Sequence, residues 1–112
     1  MISNPVSIIF FLDDKRNPNY PTGDTYIVAR TFRQALEIIS NENFIFDSWQ
    51  LDHDLGTDAE TEQKLSGLDF LKWVVENKLE RWPPHKISVH SANYHGRKNM
   101  EAYIKQVEEK LL

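Results

Sequence analysis

The chain reads as an α/β protein built on a parallel sheet, and three features of the sequence predict this. Ser7–Leu12 (SIIFFL) is an almost continuously apolar run that closes on Asp13-Asp14, the pattern of a strand buried on both faces whose polar residues begin at its carboxyl end. A second strand-length segment, Phe46 to Leu51, likewise closes on an acidic cluster, Asp52-His53-Asp54. Between and after these runs, apolar residues recur at helical spacing. Strands alternating with helices give parallel pairing through right-handed crossovers.

Each element follows in turn. Lys15 to Asp24 carries Asn17-Pro18-Asn19, Pro21 and Gly23, which makes it loop rather than helix. Tyr26–Ala29 is a second short strand. Thr31 opens a helix with Gln34 three residues on, a capping-box pattern, and Phe32, Ala35, Leu36 and Ile39 form one apolar stripe. The third strand, Phe46–Leu51, contains Ser48 and Gln50, so one of its faces is expected to be less buried. Leu55 to Ser66 shows no apolar period and reads as a polar loop. Gly67–Leu79 is a second helix with Ser66 as its cap, ended by Arg81-Trp82-Pro83-Pro84. Lys86–His90 alternates as an edge strand does. A last helix is predicted to begin near Gly96, striped by Met100, Tyr103, Ile104, Val107 and Leu111. About four strands and three helices result, in one domain over residues 1–112.

Composition narrows the function. The 112 residues carry a formal net charge of −4, which argues against extended nucleic-acid binding, since that requires many phosphates to be neutralised. Recognition of a single phosphate or a strand end stays open. There is no cysteine, which fits a reducing compartment and removes thiolate zinc sites. The longest apolar run is far short of a membrane span, and the amino terminus has no basic leader. A cytoplasmic protein without membrane contact is the expectation.

In open α/β sheets, ligands collect beyond the carboxyl ends of the strands. Three strands end there in reactive residues: Asp13-Asp14, Asp52-His53-Asp54 and His90-Ser91. Hard divalent cations take oxygen ligands, and a cluster of carboxylates needs a cation to relieve its repulsion. Asp13, Asp14, Asp52 and Asp54 are therefore the candidate ligands for Mg²⁺ or Mn²⁺, and Asp52 is also a candidate nucleophile. A single aspartate after a strand is more often a turn former or cap, the reading adopted for Asp24, Asp47, Asp58 and Asp69. His53, between two aspartates, and His90, at a strand end, are candidate proton donors; an exposed turn or a core position is the plainer reading of each. His85 reads as surface and His95 as loop. Arg16, Ser91 and Asn93, with the basic helix start at Gly96-Arg97-Lys98, offer groups that hold a phosphate.

On these residues the chain resembles the cyclic-phosphate-processing receiver domains. The matching segments are Leu12-Asp13-Asp14-Lys15-Arg16, Leu51-Asp52-His53-Asp54-Leu55-Gly56, Gly67-Leu68-Asp69 and His90-Ser91-Ala92-Asn93, followed by Gly96 and Asn99-Met100. The resemblance implies a truncated receiver-like (flavodoxin-like) three-layer fold, strand order 2-1-3-4, with Mg²⁺ between the carboxylates of Asp13-Asp14 and Asp52, Asp52 in the place of the acceptor aspartate and Ser91 in that of the Ser or Thr after strand four. Asn99, at the start of the last helix, is a further candidate to hold the phosphate. The segment after the first strand is loop where a receiver has its first helix, and a fifth strand with its lysine has no counterpart. The implied activity is metal-dependent processing of a small phosphorylated ligand, a cyclic nucleotide or an RNA 2′,3′-cyclic phosphate end. The competing readings are a binding or signalling module, capturing such a ligand or phosphorylated on Asp52 without turnover, and an inert domain holding a structural cation. The edge of the fourth strand offers a surface for a homodimer.

Overall fold

Phe10 and Leu12 are fully buried, and Ile9 and Phe11 nearly so. The apolar run is thus the centre of the sheet, strand β1 (Ile8–Leu12). The computed structural model describes residues 7–19, 24–57 and 62–112. After β1 come β2 (Thr25–Ala29), α1 (Phe32–Ser40), β3 (Ser48–Leu51), β4 (Asp54–Thr57), β5 (Lys64–Ser66), α2 (Gly67–Asn77), a 3₁₀ turn (Leu79–Arg81), β6 (Lys86–Val89) and α3 (Tyr94–Leu111). The main sheet has the order β2-β1-β3-β6, and all its pairs are parallel. Class, strand order and helix count match the sequence reading.

Register decides where the chemistry lands. Leu12 is level with Ala29, Leu51 and Val89 on the neighbouring strands. The ladder continues one step further, with Asp13 N–H donating to Ala29, Asp52 N–H to Leu12 and His90 N–H to Leu51 at 2.8–3.1 Å. Asp13, Asp52 and His90 therefore emerge side by side.

The helices start as their caps dictate. The Thr31 hydroxyl accepts the Gln34 N–H, while the Gln34 side chain reaches past the cap to the Arg30 N–H. Ser66 and Asp69 close a full capping box on α2, so Asp69 is a cap, as read from the sequence. The last helix differs: it begins at Tyr94, with the Asn93 side chain capping the Gly96 N–H at 2.9 Å. Gly96 lies in its first turn, and His95 is helical rather than loop.

Two further corrections concern the sheet. The polar segment after Asp54 is a two-stranded antiparallel ribbon, β4 with β5. Its partners Asp54/Ser66 and Thr57/Lys64 are polar, and only Leu55 and Leu65 supply apolar alternation, too little for a periodicity signal. Residues 58–61 of the connection, including Asp58 and Glu60, lie outside the described residues, as do residues 1–6 and 20–23. The layering is the second correction. Helix α1 touches α2, α2 touches α3, and α1 and α3 lie against β2 and β6, so all three share one face. There Phe10, Leu12, Trp49, Leu51, Phe70, Leu71, Met100 and Ile104 form the core. The opposite face, with Ile9, Phe11, Ser48, Gln50 and Ser88, carries no helix among the described residues. The reason is local: the chain after β1 turns into the Asn17-Pro18 loop, so two layers form where three are expected. Ser48, Gln50 and Ser88, half-buried, are the residues that tolerate this.

Candidate metal and phosphate site

Beyond the sheet's carboxyl edge, carboxylate oxygens of Asp13, Asp14 and Asp52 come within 4.8 Å of one another. Two of the three are buried: Asp13 is 0% exposed and Asp52 5%. Burying carboxylates is costly unless each is compensated, and the compensation is unequal. Asp13 Oδ1 accepts the N–H groups of Lys15 (2.9 Å) and Arg16 (2.8 Å). Its Oδ2 meets His90 Nε2 at 3.1 Å and Arg16 Nε at 3.7 Å. Burial pushes the Asp13 carboxyl up, but the two N–H bonds and the His90 ring outweigh it and hold the group below 3.8. Asp52 accepts the His53 N–H at 2.8 Å. Burial and the charge of Asp13 push it above 3.8 against that bond. Two neighbouring acids drawn apart in this way make the cleft a candidate functional site.

The three carboxylates line a cleft of about 160 Å³ together with Lys15, Arg16, Asp54, Ser91 and Ala92. An all-oxygen set at this spacing fits a hard divalent cation, and the repulsion that raises Asp52 is what such a cation would relieve. Asp54 lines the cleft from the start of β4 but stands outside the three-carboxylate cluster. Its Oδ1 meets His53 Nδ1 at 3.0 Å, and that bond, with help from Asn93, holds Asp54 below 3.8.

Both histidines stand behind carboxylates rather than among the cleft-lining residues. His90 stacks flat on Phe11, ring centroids 4.8 Å apart and 13° from parallel, with Nε2 on Asp13. The His53 ring packs so closely on the first turn of α3 that a Cβ at Gly96 would come within 2.5–2.6 Å of it. Gly96 is thus required for close approach, and its N–H is already taken by Asn93. Of the expected phosphate-binding residues, Arg16 and Ser91 line the cleft. Ser91 Oγ accepts the Asn93 N–H at 3.1 Å, which leaves its proton to donate. Asn93 serves as cap, and Asn99 is exposed on α3.

Three contributors were not singled out in the sequence. Lys15 brings a second cation to the cleft. Gly56, at φ +74°, turns β4 past Asp14 Oδ2, from which a Cβ would lie 3.9 Å. Arg30, directly after β2, donates from Nη1 to the carbonyls of Asp13 (3.2 Å) and Arg16 and from Nη2 to Asn17 Oδ1, clamping the loop that carries Asp13 and Asp14. Its only sequence signal is its place at a strand end.

Residues 8–106 match the model of a family described as the cyclic-phosphate processing receiver domain. No curated protein and no solved structure matches the chain.

Proposed function

Because the chain belongs to the family of cyclic-phosphate processing receiver domains, we propose that it is a divalent-metal-dependent phosphoesterase that opens a cyclic phosphate. The observation that carries this reading is the joining of three clustered carboxylates, two cations and the Ser91 hydroxyl in one cleft. Asp13, Asp14 and Asp52 would hold Mg²⁺ or Mn²⁺, which supplies polarisation of a phosphoryl oxygen. Arg16 and Lys15 offset the charge of the phosphate, and Ser91 donates a hydrogen bond to one of its oxygens. Opening the ring consumes one water: its oxygen bonds to phosphorus as one ring P–O bond breaks. One of its protons ends on the released alkoxide, and the other leaves with the phosphate monoester or to solvent.

His90 acts in this reading as a positioning residue. Its bond to Asp13 Oδ2 fixes the carboxylate that faces the cation, as partners behind metal ligands do. His53 holds Asp54, a cleft-lining carboxylate outside the three-carboxylate cluster, through its Nδ1 contact. A second reading has one observation in its favour: no imidazole lines the cleft among the described residues, so no histidine is placed to protonate a leaving oxygen. The domain would then capture a phosphorylated ligand, or be phosphorylated on Asp52, without turnover.

The test is a panel of 2′,3′- and 3′,5′-cyclic phosphates incubated with Mg²⁺ or Mn²⁺ and the wild type, Asp52→Asn and His90→Ala proteins. Turnover is expected in the wild type and to fall about 10²–10³-fold in Asp52→Asn, the scale of losing one preorganised electrostatic group. If nothing turns over while a cyclic nucleotide still raises the melting temperature, the esterase reading is wrong and the binding module stands.

A further inference from the structure

Tyr94 is a large aromatic side chain left 58% exposed, although the helix it opens starts just past the carboxyl end of β6. It follows Ala92, a cleft residue, by two positions, so their Cα atoms are at most about 7 Å apart. The other large apolar side chains exposed among the described residues lie elsewhere: Ile45 before β3, Leu79 after α2, Leu111 and Leu112 at the end of α3. As the first residue of α3, Tyr94 has no capping work to do, because Asn93 caps the helix. Its ring is held nonetheless. Arg97 Cζ and Lys98 Nζ each lie 5.7 Å from its centroid, and the His95 ring stands edge-on at 5.6 Å.

An exposed ring with two cations over it, in a chain of net charge −4, is a surface for a flat heterocycle attached to a phosphate. Stacking supplies contact that tolerates any base, and cations beside the ring strengthen it. Resting on the phosphate reading of the cleft, we propose that Tyr94 is the stacking platform for the nucleobase of a nucleoside phosphate whose phosphate occupies the Asp13-Asp52-Ser91 cleft. The substrate class is then nucleotides rather than phosphate esters at large. Arg97 and Lys98 would meet a neighbouring phosphodiester if the nucleoside ends an RNA strand.

The test compares adenosine 2′,3′-cyclic phosphate with the base-free glycerol 1,2-cyclic phosphate, using the Mg²⁺-loaded protein and Tyr94→Phe and Tyr94→Ala variants. Calorimetry with adenosine 2′-monophosphate against inorganic phosphate gives the same comparison without turnover. The wild type and Tyr94→Phe should favour the nucleoside compound by about tenfold to a hundredfold, and Tyr94→Ala should erase that ratio. A third arm uses a short oligoribonucleotide ending in the cyclic phosphate. A further gain over the mononucleotide that Arg97→Ala removes identifies a strand end, and no gain identifies a free nucleotide. Equal preference for both compounds, or a ratio unchanged in Tyr94→Ala, overturns the proposal. If the binding ratio appears and no compound turns over, the platform stands while the esterase reading falls.

Discussion

Asp13 and Asp52 leave neighbouring parallel strands at the same height, yet the two strand ends treat their carboxylates in opposite ways. At the end of β1, both oxygens of Asp13 are engaged, by two N–H groups, a histidine and an arginine. The loop that carries it is clamped from behind by Arg30. At the end of β3, Asp52 receives the N–H of the next residue and the repulsion of Asp13. One carboxylate is an anchor that the fold uses; the other is held in a place the fold alone does not favour. A buried charge kept at a cost is what the proposed cation would offset.

The comparison is most directly broken by removing what supports the anchor. His90→Ala leaves Asp13 Oδ2 without its ring partner, and Arg30→Ala frees the 13–17 loop. Each should weaken Mg²⁺ or Mn²⁺ affinity about tenfold to a hundredfold, measured by calorimetry, with turnover recovering as metal is raised. Loss of folding rather than of affinity in His90→Ala, seen by circular dichroism without metal, would mean that His90 serves the core alone.

A smaller effect sharpens it. In metal-free protein, the same substitution should act with opposite sign at the two positions. Asp13→Asn removes charge-assisted hydrogen bonds and should cost about 1–3 kcal/mol of stability, whereas Asp52→Asn relieves repulsion and should raise the melting temperature. The smallest signal is the pH dependence of this pair. Asp13, held below 3.8, stabilises the fold above that value, and its contribution is lost as pH falls through its lower folded value. Asp52, pushed above 3.8, favours the fold when protonated, and that contribution is lost as pH rises through its higher folded value. The gain from Asp52→Asn should therefore be greatest near neutrality and shrink on approach to 3.8. A gain that grows in acid would reverse the assignment.

Much of this was legible in the sequence, for physical reasons. An apolar run ending in paired aspartates reports both a central strand and the edge where ligands gather, so β1, β3 and the carboxylates Asp13, Asp14 and Asp52 follow from pattern alone. Ser48 and Gln50 already marked the face that no described helix covers. The β4–β5 ribbon was hidden because its residues are polar, and a strand that buries one leucine leaves no period. Helix α3 starts two residues before Gly96 because Asn93, a good cap, closes the first turn on the Gly96 N–H. Arg30 and the placement of the histidines were illegible for another reason: which group a long side chain reaches across the chain is set by tertiary register.

In the proposed cation site of Asp13, Asp14 and Asp52, Asp52 is the costly member. Titrating the metal-free protein with Mg²⁺ or Mn²⁺ while following its melting temperature tests this directly. The wild type should be stabilised by about 2.7 kcal/mol at a hundred times Kd, while Asp52→Asn starts from a higher melting temperature and gains nothing. A wild type that does not respond to either cation, or an Asp52→Asn protein that responds equally, would contradict the account.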